Sequence, residues 1–515
     1  MIRFTLLTFV FLLSLPSHAA DLDAIDAYCK KALADWNIPG FAIAIVQDDH
    51  VLLTRGYGVR ELNKPEPVTE NTLFAIASNS KAFTSAGIAI LVHQKKLSWD
   101  DRVQTYLPWF QVFNDPWISH ETRIDDLLCH RLGFRTFSGD LIWWNTPYSA
   151  EEVIKRARYL PPRYSFRRGY GYSNIAFITA GEIIAHVSGQ TWSQYIRDQI
   201  LTPLNMTNTA LAVSELKSRP DVATPHSADD DGKPHPIAWQ AWDSTQAAGG
   251  VISSAADLSQ WLRLQLNAGQ LNNHTFWTSN QTWKMWTLHN PMPFSADAGA
   301  KDADLSINGA GLGWFLADYH GEFLARHGGA YDGMFSHTIL VPKKKIGLVV
   351  LSNGMTGLPN SVAGWVLDEM LGHHEHDWSA ENVKKAADAR EQKKKYKTAQ
   401  ADKRIKNTKP SLPLGQYAGR FGGPMYGDAT ITYENSKLVL RLLPNPELVA
   451  NLVHWQHDVF EIQWQKKFAW FGDGKLQFLL DKNSAVTEFK MDVPNEDFWF
   501  DELEFKKQRE EKPAR

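Results

Sequence analysis

"FAIASNSKAF", residues 74–83, places Ser78, Ser80 and Lys81 at what reads as the first turn of a helix. Positions i and i+3 share a helix face, so Ser78 and Lys81 can meet over one site. A serine at a helix start also sits in the positive end of the helix dipole, with its own N–H free to donate to a developing oxyanion. Lysine removes a hydroxyl proton only when neutral, and with an ordinary pKa near 10.4 only about one in 2,500 is neutral at pH 7. The apolar flanks "FAIA" and "AGIAILV" supply the burial that lowers it. Alone, Ser-x-x-Lys is also what a polar helix start with a solvated lysine looks like.

Outward from this stretch, residues 22–38 carry apolar positions at helical spacing, closed by Pro39–Gly40. "FAIAIVQ" and "VLLTRGYG" read as a hairpin around Asp48-Asp49-His50. From Ser78 to about Leu271 the pattern is mostly helical. Strand character returns in "GLGWFLADY", "GEFLARHGG", "MFSHTILVP" and "IGLVVLSN", followed by a helix from about Ser361 to Leu371. Early and late strands around a helical middle predict one antiparallel sheet built from both ends of an α+β domain.

The first twenty residues combine Arg3, an apolar run from Phe4 to Leu15, Pro16 and small residues around Ala19, the pattern of a cleavable secretory signal. The run is too short to span a bilayer. The predicted organisation is a signal at 1–19, an α+β domain at 20–376, a basic linker at 377–412, a small β domain at 413–505 and a charged tail at 506–515. The mature protein is expected to be periplasmic or secreted. Cys29 and Cys129 allow at most one disulfide, with two buried thiols as the alternative. A formal net charge of −3 argues against a nucleic-acid partner. Eleven Lys/Arg against three Asp/Glu between Lys384 and Lys409 mark the linker as a solvated tether. The histidines of "GHHEHDW" (His373, His374, His376) have no second cluster at ligand spacing elsewhere, so no metal or other cofactor is expected.

Two further elements give Ser78 and Lys81 their meaning. "RRGYGYSNIAF" carries Tyr172-Ser173-Asn174, and "FLARHGGAYDG" carries His327-Gly328-Gly329. In order and approximate spacing these match the three motifs of the penicillin-recognising serine hydrolases. Over roughly residues 25–372 the chain resembles the branch containing class C β-lactamases, D-Ala-D-Ala carboxypeptidases, D-aminopeptidases and related esterases. The resemblance includes "DLLCHRLGF", "AGEIIAHVSGQTW" and "AAGGVISSAADLSQWL".

Carried over by position, the resemblance implies Ser78 as the acylated nucleophile and Lys81 as the group that takes its proton, directly or through Tyr172. Tyr172 would protonate the leaving group, and Asn174 would orient Lys81 and the substrate amide. His327 would stand on an edge strand where most relatives have Lys, with Gly329 beside it. The N–H of Ala330 would complete the oxyanion hole with that of Ser78. Tyr170 reads as an aromatic packed near the cleft, and Arg167, Arg168 and Arg326 as surface or ion-pairing residues. His327-Gly328 departs from the Lys and Ser/Thr of carboxylate-binding members, which favours a peptidase or esterase of D-amino-acid type over the alternative of a β-lactamase. A non-turnover β-lactam or muropeptide sensor is a further alternative.

Residues 414–505 alternate short β-type runs with Gly, Asn and Asp turns, as a small barrel or sandwich does. They resemble the lipocalin-like barrel appended to many members of this branch, which implies a role as a lid, a homo-oligomer contact or an apolar-ligand holder. Trp455, Trp464 and Trp470 read as core residues there.

Overall fold

The structure, a computed structural model, describes residues 20–293 and 306–509. The signal-peptide reading falls on residues outside these, as does most of the charged tail. An eight-stranded antiparallel sheet organises the first part of the chain. Its strands are β1 (Gly40–Gln47), β2 (His50–Gly58), β3 (Asn290–Pro291), β4 (Asn308–Ala310), β5 (Phe315–Tyr319), β6 (Glu322–Tyr331), β7 (Met334–Val341) and β8 (Ile346–Ser352), in the spatial order β2-β1-β8-β7-β6-β5-β4-β3. The α+β expectation therefore holds, and the two ends of the domain meet where Phe41 of β1 pairs with Ser352 of β8.

β1 is an uninterrupted apolar run because both its faces are covered. Phe41, Ile43 and Ile45 pack with α1 (Leu22–Trp36), capped by the Asp21 side chain. Ala42, Ala44 and Val46 face the helical core on the opposite side. The β1–β2 turn sets Asp48 and Asp49 at φ 49° and 65°, the doubly left-handed backbone of a tight hairpin turn. The two cysteines are free and buried, and they belong to the two different cores: Cys29 packs with α1 and Cys129 with the helical side. The sheet lies between them, so the disulfide alternative is excluded.

On the helical side, α2 (Ser80–His93) is buried along nearly its whole length. It packs against α4 (Asn174–Ser188), and the short α3 (Asp140–Trp143) lies nearby. After α5 (Leu358–Leu371), which covers the α1 face of the sheet, α6 (Trp378–Asp402) runs exposed through the basic stretch, its Lys394 and Lys397 pairing with Asp231 and Asp230. No helix among the described residues is long and apolar enough to cross a membrane.

The C-terminal strands β9–β16 (Gly419–Gly423, Gly427–Glu434, Lys437–Leu442, Val449–Gln456, Val459–Trp464, Gly474–Leu480, Val486–Asp492, Phe505–Lys507) form a closed barrel. Tyr417, Phe421, Phe460, Phe478 and Phe489 are buried within it, as expected of eight strands that enclose just enough room for side chains. The barrel sits directly on the α+β domain. Trp144 packs among Phe468, Phe471 and Phe498, and the Trp470 indole donates to Asp332 at 3.0 Å. Trp470 is thus an inter-unit contact, whereas Trp455 lies under Lys475 and Arg404 at the barrel surface.

Candidate active site

Ser78 does not lie in α2 itself. It occupies a 3-10 turn, Ala77–Asn79, that leads into the helix, and the preceding Ala77 has φ 47°. A non-glycine residue there stores roughly 1–3 kcal/mol of strain, which surrounding contacts must hold in place. They do: Ile76 N donates to Val251 O (3.0 Å), Asn79 Nδ2 to Ser336 Oγ (2.8 Å), and Ser336 Oγ to Ile76 O (2.8 Å). Gly329 is needed at this contact because a Cβ on it would stand 2.1 Å from the Ile76 carbonyl oxygen.

Lys81 is fully buried, and its Nζ has three neighbours: Ser78 Oγ at 3.1 Å, Asn174 Oδ1 at 2.6 Å and the Ala248 carbonyl at 2.8 Å. Desolvation holds its pKa down to about 7, against an upward pull from Asp140. A neutral amine has two N–H donors and one lone pair. The carboxamide and carbonyl oxygens can only accept, so they take the two N–H bonds and leave the lone pair facing the Ser78 hydroxyl. The geometry that would let Lys81 act as a base is therefore built in.

Tyr172 is buried beside Ser78, its ring centroid 4.8 Å from Lys81 Nζ. Burial drives its phenol well above 10, with the Ser78 hydroxyl pulling it back, so it rests as a neutral donor. His327 is buried too. Its Nδ1 bonds to the Gly328 carbonyl at 2.6 Å, and burial with nearby Lys81 brings its pKa down to about 3. The His327 ring is consequently neutral. The expectation of an edge strand needs correction. β6 is interior over Glu322–Arg326, where β5 pairs with it, but β5 begins at Phe315 opposite Arg326, so only the His327–Tyr331 segment is open on that side. Gly329 and Ala330 lie on this open segment.

Ser80 is not idle. It is buried and its Oγ accepts from Val251 N at 3.0 Å, while Thr84 Oγ1 donates to Ala247 O at 2.6 Å. With the Lys81–Ala248 bond these zip α2 to residues 247–251. Tyr170 packs edge-on against His130 and Phe315, as expected. Arg167 is committed to Asp126 through Nε (2.9 Å) and Nη2 (2.7 Å). Arg168 and Arg326 are exposed.

Two residues escaped the sequence reading. His130, in "DLLCHRLGF", stacks on Tyr172 with ring centroids 4.3 Å apart, and its Nδ1 accepts from Ser173 N at 3.1 Å. Its proton is thereby placed on Nε2, and burial keeps the ring neutral. Asp140 is buried and bonds Asn174 Nδ2 at 2.7 Å and Trp143 Nε1 at 2.9 Å. Burial pushes its carboxyl up, while those two donors and Lys81 pull it back down. His130 lies in a stretch that the resemblance includes without a role attached to it, and an Asp after Ser-Gly reads as a helix start. Away from the cleft, His320 of the β5–β6 turn joins His373 and Glu375, with ligand atoms within 4.8 Å of one another. His320 is the distant partner for "GHHEHDW" that the sequence reading did not find.

A family model described as Beta-lactamase matches residues 25–369, and one described as Domain of unknown function (DUF3471) matches 403–507. Among curated relatives, the unguisins hydrolase ungD' of Aspergillus campestris is 26% identical over 435 residues, 80% of this chain and 78% of that protein. Protein flp of Staphylococcus aureus is 28% identical over 338 residues, 64% of this chain and 62% of its own length. In solved structures, an octameric penicillin-binding protein homologue from Pyrococcus abyssi aligns over 95% of this chain and 100% of its own, with TM-score 0.61 and 21% identity. SurE aligns over 94% and 98%, with TM-score 0.55 and 17% identity. These two structural likenesses concern the fold.

Proposed function

Because the chain belongs to the Beta-lactamase family and is a serine hydrolase of that family, we propose that it is an exported enzyme that forms an acyl-enzyme on Ser78. Its substrates in this reading are amide or ester bonds of small peptide-like molecules, of D-amino-acid type. The single observation that carries the reading is the wiring of Lys81, whose lone pair faces Ser78 Oγ once Asn174 and Ala248 have taken its protons.

In the proposed cycle, Ser78 Oγ attacks the carbonyl carbon as Lys81 takes the hydroxyl proton, directly or through Tyr172. The backbone N–H groups of Ser78 and Ala330 receive the oxyanion. Tyr172, neutral at rest, donates to the departing amine or alcohol and is reprotonated from Lys81. Water then enters along the reverse proton route, frees the acid and restores Ser78. A neutral His327 offers no fixed cation to a substrate carboxylate. This supports placing peptide and ester hydrolysis ahead of β-lactam turnover.

The test is a screen of the purified protein against matched L- and D-peptide amides, short acyl esters and β-lactams, with mass spectrometry of the acylated residue. Mass added at Ser78 by a D-peptide amide or ester is the expected result. Rapid turnover of a chromogenic cephalosporin with no peptide or ester hydrolysis would reverse the order of substrates, and an acyl group that stays for hours would make the protein a sensor. Export is tested by the N-terminus of the protein recovered from outside the cytoplasm, expected near Ala20. Assembly through the barrel, also part of this reading, is tested by light scattering.

A further inference from the structure

The loop of residues 135–140 is held between the site and the barrel. On its inner side, Thr136 Oγ1 accepts from Tyr172 N (3.2 Å), Phe137 N donates to Tyr172 O (2.8 Å), and Asp140 Oδ2 accepts from Asn174 Nδ2 (2.7 Å). On its outer side, Trp499 Nε1 donates to Thr136 O (2.7 Å), and the two oxygens of Glu502 accept from Ser138 Oγ (2.6 Å) and Gly139 N (3.0 Å). Arg135 closes the contact by pairing with Asp501 at 3.0 Å and lying over the Trp499 ring. Every one of these outer partners comes from the C-terminal unit.

We propose that Asp140 is a positioning residue for the Ser78–Lys81 pair, and that the barrel, through Glu502, holds it in place, so that acylation depends on a contact made by another folding unit. This rests on the reading of Ser78 as nucleophile given above.

The argument turns on the two ends of one carboxamide. Asn174 offers an oxygen and an NH2 group, and only one orientation satisfies both its neighbours. With its NH2 on the Asp140 carboxylate, its oxygen faces Lys81, takes one of the lysine's protons and leaves the lone pair for Ser78. Flipped, the amide would set its NH2 against Lys81 and draw the lone pair off the hydroxyl. Asp140 itself is fixed because Trp143 Nε1 holds its other oxygen. Two donors thus converge on Asp140, and an amide in its place must turn its own NH2 against one of them. The charged and titratable groups around this pair are Asp497, which faces Asp140 from the barrel, and Tyr172, His130 and His327, which face Lys81.

The experiment follows covalent labelling of the full chain by an activated serine-directed fluorophosphonate probe across pH, in wild type, Asp140→Asn, Glu502→Gln and Ser78→Ala. Asp140→Asn is expected to lower the plateau labelling rate about 100-fold with little change in half-saturating probe concentration. Its pH midpoint is expected to move toward acid, because Lys81 loses the upward pull that Asp140 exerts on it. Glu502→Gln is expected to slow labelling roughly three- to thirtyfold at an unchanged melting temperature. Wild-type rate and midpoint in Asp140→Asn would overturn the role of Asp140, as would a rate that falls only in step with melting temperature. Should Asp140→Asn not fold, Glu502→Gln decides: slowed labelling at an unchanged melting temperature supports the role, and a wild-type rate overturns it. Labelling that survives Ser78→Ala would instead overturn Ser78 as nucleophile.

Discussion

Lys81 Nζ stands closer to Asn174 Oδ1, at 2.6 Å, than to Ser78 Oγ, at 3.1 Å. The lysine is therefore moored by an amide oxygen and aimed at the hydroxyl proposed as the nucleophile. Its state of protonation sets the rate. Burial has brought its pKa to about 7, and Tyr172 titrates far above that. The acylation rate should therefore rise with pH through a midpoint near 7 and stay level into the alkaline range. A pre-steady-state labelling series from pH 5 to 9 checks it, and a rate flat across pH 7 would contradict it.

Ser78→Ala should remove hydrolysis and covalent labelling, with a rate loss on the order of 10⁶-fold, while the fold persists. Residual labelling in mass spectra of the variant would show that another residue is acylated.

Ser80→Ala should behave in the opposite way. Its hydroxyl accepts the buried Val251 N–H, so truncation strands that donor at a cost of about 1–3 kcal/mol. Denaturant unfolding should register the loss, and Ser78 should still be labelled.

Gly329→Ala brings a methyl group to 2.1 Å from the Ile76 carbonyl oxygen, two residues before Ser78. Backbone must give way, at about 1–3 kcal/mol, and the turn that carries the nucleophile moves with it. Activity should fall more steeply than stability, which parallel kinetics and melting curves will separate.

The parts of the molecule that could be read from sequence are those whose signal is local. β1 announces itself as six apolar residues in a row, Phe41 to Val46, and Ser78, Lys81, Tyr172, Asn174 and His327 sit in motifs with recognisable neighbours. The barrel strands show their alternation. What escaped is long-range or carried by the backbone. Ala248 contributes a carbonyl that no side-chain pattern reveals. Asp140 gains its meaning from Asn174, His320 from His373, and Trp470 from Asp332. Ser80 faces away from Lys81 by helix geometry, and that direction points it at the Val251 amide, a partner no local pattern reveals. β6 resembled an edge strand because the open segment after Arg326 depends on where β5 begins.

Three buried histidines draw stability down on the acid side. His130, His327 and His337 are held neutral by burial, the last two at about 3, while the same rings in the unfolded chain take a proton near 6.5. Below pH 6.5 these three rings bind more protons in the unfolded state, so their share of the stability is lost as pH falls from 6.5 toward 3, while Asp332 and Asp497, held by burial at about 6, act in the opposite direction between pH 6 and 4. In thermal melts between pH 7.5 and 4.5, His337→Asn should lose less stability toward acid than the wild type does.

The pairing of Phe41 with Ser352 governs how the chain can be made. β1 and β2 leave the ribosome about three hundred residues ahead of β8, the strand that lies against β1 on its other side. Until then the first hairpin exposes one long flank of unpaired backbone, and neither core can close. Folding of the hydrolase unit is thus governed by a late, non-local event, which makes it slow. A chain arrested before Ile346 should remain protease-sensitive throughout, and synthesis of the last strand should convert it in a single cooperative step.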